Sequence, residues 1–255
     1  MRLTSILTSI LIELGVGTAL FVCAQKTGEI RKSFFSFQSG MVAASFFLAW
    51  LFAWLIPSGQ NNGFVPLLMA WSSGLAAARC FSGGRNRCGK IALWVAAASA
   101  GWFLVAPPII LTFETASPNL GWLAMEILNI AAGTFLFGWA SGAMILGHWY
   151  LIMRGLSFEH LRRATQQLLI AVGARIALFA GTWLWFQHVG IAADLLYDPL
   201  LMGMRALWGL LLPGIFGFMA WRCARIGSNQ AGTGLLYITV VAVLIGEILA
   251  GHIGF

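Results

Sequence analysis

Residues 233–254 read TGLLYITVVAVLIGEILAGHIG, an apolar run interrupted by a single charged residue, Glu247. A helix of about 20 apolar residues is long enough to cross the hydrocarbon core of a bilayer, so this run predicts a transmembrane helix. The whole chain has the same character, because 60% of its 255 residues are hydrophobic and only 9% are charged. This composition argues against a water-soluble globular protein and leaves no room for a soluble catalytic domain.

Apolar runs recur along the chain, separated by Gly, Pro and charged residues, and they predict an all-α integral membrane protein with eight transmembrane helices. Arg2 and the apolar stretch after it resemble a signal peptide, but Glu13 interrupts that stretch and no small-residue cleavage site follows, so we expect a retained helix. The predicted spans are 3–23, 39–58, 63–82, 91–113, 120–150, 164–190, 199–221 and 233–254.

Basic residues alternate between the predicted loops. The first, third, fifth and seventh loops, with the edge of the third helix, contain 12 of the 15 Lys and Arg residues: Lys26, Arg31, Lys32, Arg79, Arg85, Arg87, Lys90, Arg154, Arg162, Arg163, Arg222 and Arg225. The other loops carry only Glu114, Asp194 and Asp198. By the positive-inside rule the basic loops are cytoplasmic, both termini are non-cytoplasmic and the protein lies in the cell (inner) membrane. The net charge of +7 is thus a topology signal, and nucleic acid is not an expected partner.

Two short segments recur in the two halves of the chain. GTALF at 17–21 is similar to GTFLF at 133–137, and Arg79-Cys80 is similar to Arg222-Cys223 in a shared register of Gly and Asn residues. Four spans separate the copies, so both would have the same orientation in the membrane. The sequence therefore predicts two tandem four-helix units, residues 1–119 and 120–255, within one membrane domain.

A few polar side chains fall inside the predicted spans. A charged group at membrane depth costs about 2.5 kcal/mol or more, so each one needs a partner, a cavity or a function. The positions of these residues along their helices predict their depth in the membrane. Six of them are predicted in the outer half, whereas Glu13 and Arg175 are predicted nearer the middle. The six are Glu126, Asn129, His188, Arg205, Glu247 and His252. The alternative is that these groups form buried ion pairs that fix helix register, such as Glu126 with Arg205 or Glu13 with Arg175.

This set of residue types suits a quinone headgroup. Histidine or arginine can donate a hydrogen bond to a carbonyl oxygen, and a carboxylate can accept the proton released when a quinol is oxidised. We expect Glu247 and Glu126 to accept protons; the residues expected to bind the quinone are His252, His188, Arg205, Asn129, Glu13 and Arg175. The chain lacks a nucleophile, base and orienting residue in a recognisable set, so there is no hydrolase or transferase motif.

The same residues include possible ligands of haem b or of a metal ion. His188 and His252 have matching predicted depths and could be axial ligands of one haem, whereas a second haem would need His148 and His160, and His160 is predicted in a loop. Cys80, Cys88 and Cys223 match no zinc or iron–sulfur spacing, so small buried thiols are expected and no metal site.

The fifth predicted helix carries the most distinctive local string, GHWYL at 147–151. Trp149 and Tyr150 fit an aromatic belt next to the cytoplasmic basic residues, but His148 has no role in such a belt and suggests a packing or ligand role. Gly138, Gly142 and Gly147 predict a small-residue face that another helix or a flat ligand can approach closely.

The C-terminal sequence from Glu247 through Gly251 and His252 to Phe255 resembles the last helix of the membrane-anchor subunits of dimethyl sulfoxide reductase-type enzymes. The eight spans, outward termini and chain length are also similar to polysulfide reductase and NrfD-like anchors. The sequence departs from that pattern at His252, where the family has Arg, and it lacks the family's HLG-P stretch. The resemblance implies a haem-free quinol-binding anchor that docks an iron–sulfur protein, and only Glu247 and Gly251 match the family motif directly.

These patterns predict an integral-membrane subunit of a respiratory-type electron-transfer complex, which binds quinone or quinol in the outer half of the bundle. Its partners would be the lipid bilayer and iron–sulfur or cytochrome subunits, and it would be the quinone-reactive part of an oxidoreductase. Three alternatives stay open: a b-type haem protein using His188 and His252, a small-solute or ion transporter in which Glu13, Glu126 and Arg175 line the path, and a purely structural subunit of a larger complex.

Overall fold

The computed structural model describes residues 3–54, 64–114, 119–152, 158–189 and 199–253, and within these ranges the chain is helical, with no β-strand. The helices are α1 (Leu3–Ala24), α2 (Lys32–Trp54), α3 (Phe64–Ser82), α4 (Asn86–Glu114), α5 (Leu120–Ile152), α6 (Glu159–Val189), α7 (Pro199–Ala206), α8 (Leu212–Arg225) and α9 (Asn229–Ile253). A π-helical turn, Leu207–Leu211, joins α7 to α8, so the two form one continuous rod. The all-α prediction is confirmed.

Most of these helices are long and apolar enough to cross a bilayer. Within the described residues, seven segments meet this condition: Thr4–Ala24, Lys32–Trp54, Asn86–Phe113, Leu120–Ile152, Glu159–Trp185, Leu200–Arg225 and Asn229–His252. Large apolar side chains also cover the outside of the bundle, with Trp94 at 58% and Leu184 at 67% exposure. Such surfaces are stable against lipid and unstable in water, so the molecule is a multi-pass membrane protein whose outer surface contacts lipid.

On the side of the basic loops, the helices extend beyond the predicted spans. α2 begins at Lys32 instead of 39, α6 begins at Glu159 instead of 164, and α8 continues to Arg225. Hydropathy marks where the hydrocarbon ends, but backbone hydrogen bonding continues into the interface, where long basic side chains reach water. Several basic residues that were predicted in loops therefore lie on helix ends.

Helix α1 lies inside the bundle and packs against α2, α4, α5 and α9. It crosses α5 at two glycines: a Cβ atom added at Gly17 would lie 2.7 Å from the Cα of Gly138. One turn further along, a Cβ at Gly142 would lie 2.7 Å from Cε1 of the Phe21 ring, and a Cβ at Gly147 would lie 2.8 Å from a side-chain oxygen of α9. The predicted small-residue face of α5 is confirmed, and it brings α1 and α9 close to α5.

The two turns that follow Arg79-Cys80 and Arg222-Cys223 have the same conformation. Gly84 and Gly227 adopt φ values of 75° and 76°, which favour glycine because a Cβ would be strained there. In the first turn the backbone N–H of Arg85 donates to the Cys80 carbonyl at 2.8 Å. The same bond joins Ser228 to Cys223 at 3.0 Å in the second turn. The two turns are structurally alike, while the division into two four-helix units stays a prediction.

Candidate functional site

The centre of the bundle contains an ion pair between α6 and α9. Arg175 Nη2 donates to Glu247 Oε2 at 3.0 Å and to Oε1 at 3.3 Å. Both side chains are buried, with side-chain exposures of 5% and 6%. A charge buried away from water is costly unless it is paired and hydrogen-bonded, and this pair meets both conditions.

The other terminal nitrogen of Arg175 binds α5. Nη1 donates to the main-chain carbonyl of Asn129 and lies 3.4 Å from its Oδ1. The amide nitrogen of Asn129 in turn donates to Thr182 Oγ1 at 3.0 Å and to the carbonyl of Met125 at 3.0 Å. Asn129 and Thr182 are themselves buried, so the guanidinium is held by α5, α6 and α9 through a network closed to solvent.

Gly133, one turn along α5 from Asn129, makes room for this network. A Cβ atom at this position would lie 3.0 Å from Glu247 Oε2 and 3.1 Å from Arg175 Nη2. These distances are tighter than most Cβ contacts, and both neighbours are held by their own bonds. Glycine therefore lets the ion pair lie directly against the α5 backbone.

Glu13 on α1 is the second carboxylate of this centre. It interacts electrostatically with both Glu247 and Arg175. The residue as a whole is half-buried, and its Oε2 atom is buried and has no hydrogen-bond partner among the described residues. We call Glu13, Asn129, Arg175 and Glu247 the polar centre. It contains two carboxylates and one guanidinium, so only one of the two carboxylates can be neutralised by a positive charge within the polar centre.

The polar residues are grouped differently in the structure from the way their predicted membrane depths had grouped them. Asn129 and Glu247 were placed in the outer half, but they lie together with Arg175 and Glu13, which were placed nearer the middle. Arg175 forms its ion pair with Glu247 and not, as one alternative had it, with Glu13. Position along a helix gives depth within a turn or two, but it does not give the direction in which a side chain points, and the rotation of each helix decides the pairing.

Glu126 and Arg205 lie apart from the polar centre. Glu126 is half-buried, and within the described part of the chain no ion pair with Arg205 is present. Arg205 is buried, and its guanidinium carbon lies 5.4 Å from the ring centroid of Phe179, which is a cation–π distance. Phe179 follows Arg175 by one turn on α6, so Arg205 lies one turn further toward the predicted outer surface.

The three histidines whose side chains are described, His148, His160 and His252, have separate partners. His252 is exposed and its Nδ1 lies 3.2 Å from the Ile248 carbonyl of its own helix, while the side chain of His188 lies outside the described residues. His148 contacts Tyr237, and His160 lies in the first turn of α6, where its Nε2 is 3.0 Å from Glu29 Oε2. The prediction of a loop at His160 was wrong, because α6 begins one turn before its apolar run. Haem binding by His188 and His252 stays a prediction.

No group of three or more metal-ligating side chains occurs within the described ranges. The prediction of small buried thiols is wrong for Cys88, which is exposed, while Cys80 and Cys223 are half-buried. Cys88 lies in the first turn of α4, at the end of the bundle that carries the basic residues.

One sequence signal could have placed Asn129 beside Glu13. The similar segments GTALF and GTFLF begin at Gly17 and Gly133, and four residues before each stands a polar residue, Glu13 or Asn129. A spacing of four residues in a helix is close to one turn, so each polar side chain lies beside its glycine. The contribution of Arg175 from α6 carried no such signal, because no repeated segment contains it.

No family model, no curated protein and no solved structure matches this chain. The resemblance of its last helix to the reductase membrane anchors stays a prediction.

Proposed function

We propose that this protein transfers protons within the membrane and that Glu13 is the group that takes up and releases them. The observation that carries the proposal is the charge count of the polar centre. Arg175 is already bonded to Glu247 and Asn129, and Glu13 Oε2 is buried with no hydrogen-bond partner among the described residues. A buried carboxylate without a cation of its own is stable when it holds a proton.

The ion pair also gives this proton a means of control. When Glu13 releases its proton, its negative charge attracts the same guanidinium that Glu247 holds. Two carboxylates that compete for one arginine form a two-state arrangement, and the proton decides which of them is paired. This arrangement supports proton-coupled transport of a small solute or ion.

We propose for this function the membrane topology that the sequence predicts. Eight helical rods cross the membrane, counting α3 and treating α7 to α8 as one, with the basic loops cytoplasmic and both termini on the opposite side of the inner membrane. The alternation of Lys and Arg supports this orientation. Cysteine labelling of single variants at the helix ends, with an impermeant reagent in spheroplasts, tests it.

Proton uptake into liposomes tests the function. The purified protein is reconstituted with a pH-sensitive dye inside, and a potassium gradient with valinomycin drives protons inward. Glu13→Gln keeps the shape of the side chain but cannot release a proton, so we expect uptake to fall at least tenfold. Infrared difference spectra should show the band of a protonated carboxyl group in the native protein and its loss in this variant.

Glu126→Gln is the matched control, since Glu126 is also a carboxylate in a membrane helix but lies outside the polar centre. It should retain proton uptake and the infrared band. The proposal fails if the native protein takes up no protons under this potential, or if Glu13→Gln behaves as the native protein does. If the variants fold and none of them changes proton uptake, the buried charges have a structural role only.

A second candidate is the quinone-reactive subunit of an electron-transfer complex with iron–sulfur or cytochrome partners. The observation that favours it is the buried guanidinium of Arg205 over Phe179, one turn outward from the polar centre. A donor beside an aromatic ring suits a quinone headgroup, and Glu247 or Glu126 would accept its proton. Quinol oxidation by the native membrane complex that is lost in Arg205→Met, while proton uptake without quinol is absent, would support this candidate over transport.

A further inference from the structure

The two structurally alike turns of this protein carry different charges. The turn between α3 and α4 contains Arg85 and Arg87, and both are exposed. In the turn between α8 and α9 the same positions, counted from the glycine with positive φ in each turn, are Ser228 and Gln230. The positive-inside rule requires enough basic residues at this end of the bundle, but it does not favour one of two equivalent turns. The extra charge at the first turn therefore needs its own explanation.

Two further cations lie at the first turn. Arg79 is in the last turn of α3 and is exposed. Lys32, the first residue of α2, reaches across to this turn, because a Cβ atom added at Gly84 would lie 2.6 Å from Lys32 Nζ. The first turns of α2 and α4 are at the same end of the bundle, and their backbone N–H groups also favour an anion there. We call Lys32, Arg79, Arg85 and Arg87 the basic corner.

The basic corner has no acidic partner among the described residues. The sequence provides only two carboxylates in the segments at this end of the bundle, Glu29 and Glu159. Glu29 lies 3.6 Å from Lys26 and 3.0 Å from His160, and Glu159 pairs with Arg163. Like charges that lie close together repel one another, so the basic corner favours an anion from outside the chain.

The surface next to the basic corner is apolar and faces lipid. On α4, Arg87 begins an exposed stripe that continues through Ile91 at 63% and Trp94 at 58% exposure. On α3, Arg79 ends a second exposed stripe, in which Leu75 precedes it by four residues. Residues three or four apart lie on one face of a helix, and α3 and α4 pack against each other. On both helices, positive charge is thus followed by apolar surface, which is complementary to a phosphate followed by acyl chains.

We infer that the basic corner binds the headgroup of an anionic phospholipid, whose acyl chains lie along the exposed stripes of α3 and α4. Arginine suits this role, because its guanidinium donates two parallel hydrogen bonds to phosphate oxygens. A soluble phosphate would match the same cations, but only a lipid also covers the apolar side chains beside them. The site does not depend on proton transfer at Glu13, so either proposal can fail while the other stands.

Native mass spectrometry of the full chain in detergent tests the site. Titration with palmitoyl-oleoyl phosphatidylglycerol should give an adduct of higher affinity than phosphatidylcholine with the same acyl chains. In Arg85→Gln/Arg87→Gln the Kd of this adduct should rise about twentyfold, since each basic residue near an anionic headgroup contributes about a factor of five. Arg85→Lys/Arg87→Lys keeps the charge and loses only the bidentate geometry, so its Kd should rise about threefold or less.

Arg222→Gln/Arg225→Gln is the matched control. It removes two arginines from the same end of the bundle, but beside the turn that lacks the other cations. Its Kd should stay within about twofold of the native value, because exposed charges beyond the Debye length are screened. An equal loss in both Gln double variants would assign binding to total charge and overturn the inference, as would equal affinity for phosphatidylcholine. Excess inorganic phosphate should leave the lipid bound, and displacement by phosphate would assign the cations to a soluble anion instead.

Phosphatidylglycerol with bromine on its acyl chains locates the bound lipid, because bromine quenches the fluorescence of a tryptophan that it contacts. In phosphatidylcholine nanodiscs, the brominated phosphatidylglycerol should quench more than brominated phosphatidylcholine, and Trp94→Phe should remove most of this difference. Trp102→Phe is the control, since Trp102 is also 58% exposed on α4 but lies eight residues further from the basic corner. A difference that persists in Trp94→Phe would place the lipid elsewhere and overturn the inference.

Discussion

Two Arg–Glu pairs in this protein have the same chemistry and very different surroundings. Arg175 and Glu247 form one in the bundle centre, with side-chain exposures of 5% and 6%. Arg163 and Glu159 form the other at the basic end of α6, where the exposures are 47% and 48%. In water the charges are screened and the side chains lose entropy on pairing, so an exposed pair contributes little. In the core, removing one partner leaves the other charge buried and unpaired, which strongly destabilises the fold. The intact pair itself contributes little net stability.

Their reach along the chain differs as well. The exposed pair joins residues four apart on one helix and adds only to local helix stability. The buried pair joins α6 to α9, across 72 residues of sequence, and it also binds α5 through Asn129. A change in the buried pair therefore affects the packing of three helices.

The largest effect is expected for Arg175→Met. It leaves Glu247 and Glu13 buried without a cation, and removing one partner of a buried pair costs about 3–5 kcal/mol. Protonation of the carboxylates recovers part of this, so the expected loss in unfolding free energy is about 3 kcal/mol, measured by denaturant titration in mixed micelles.

The double variant Arg175→Met/Glu247→Met separates charge from packing. Two apolar residues of similar volume can replace a buried pair at little cost, so the double variant should recover most of the stability. If it is as unstable as the single variant, the loss comes from packing and the comparison with the exposed pair no longer holds.

A smaller effect is expected for Gly133→Ala. The added Cβ would lie 3.0 Å from Glu247 Oε2, so the carboxylate must shift and weaken its bonds to Arg175. Overpacking of this kind costs about 1–3 kcal/mol. Gly173→Ala on α6 is the control, because no atom lies within 4 Å of its Cβ position. Thermal unfolding should give a lower melting temperature for Gly133→Ala than for Gly173→Ala. Equal melting temperatures would mean that the polar centre accommodates the added methyl group without loss of stability.

The smallest effect is expected for Arg163→Ala. An exposed pair contributes about 0–1 kcal/mol, and salt reduces this further. The variant should unfold within about 0.5 kcal/mol of the native protein, with the difference vanishing in high salt. A loss as large as that in Arg175→Met would show that the basic end of α6 is not solvated as its exposure indicates.

The sequence predicted the helical class and the approximate spans, because both depend on local composition. The run 233–254 is apolar enough to cross a bilayer whatever surrounds it, and α9 forms there from Asn229 to Ile253. The small-residue face of α5 was also visible, since Gly138 and Gly142 recur four residues apart on one side of a helix. Helix ends were predicted less well, because hydropathy responds to the bilayer and hydrogen bonding does not stop at its edge.

The partners inside the membrane were decided by the tertiary structure. Glu13, Arg175 and Glu247 could be identified as costly buried charges from the sequence, but which carboxylate pairs with the arginine depends on the rotation of α1, α6 and α9 about their axes. That rotation is set by contacts between distant residues, such as Gly17 with Gly138, which no local pattern records. Composition determined that this chain lies in a membrane, and only the packing of its helices determined that one carboxylate is left without a cation.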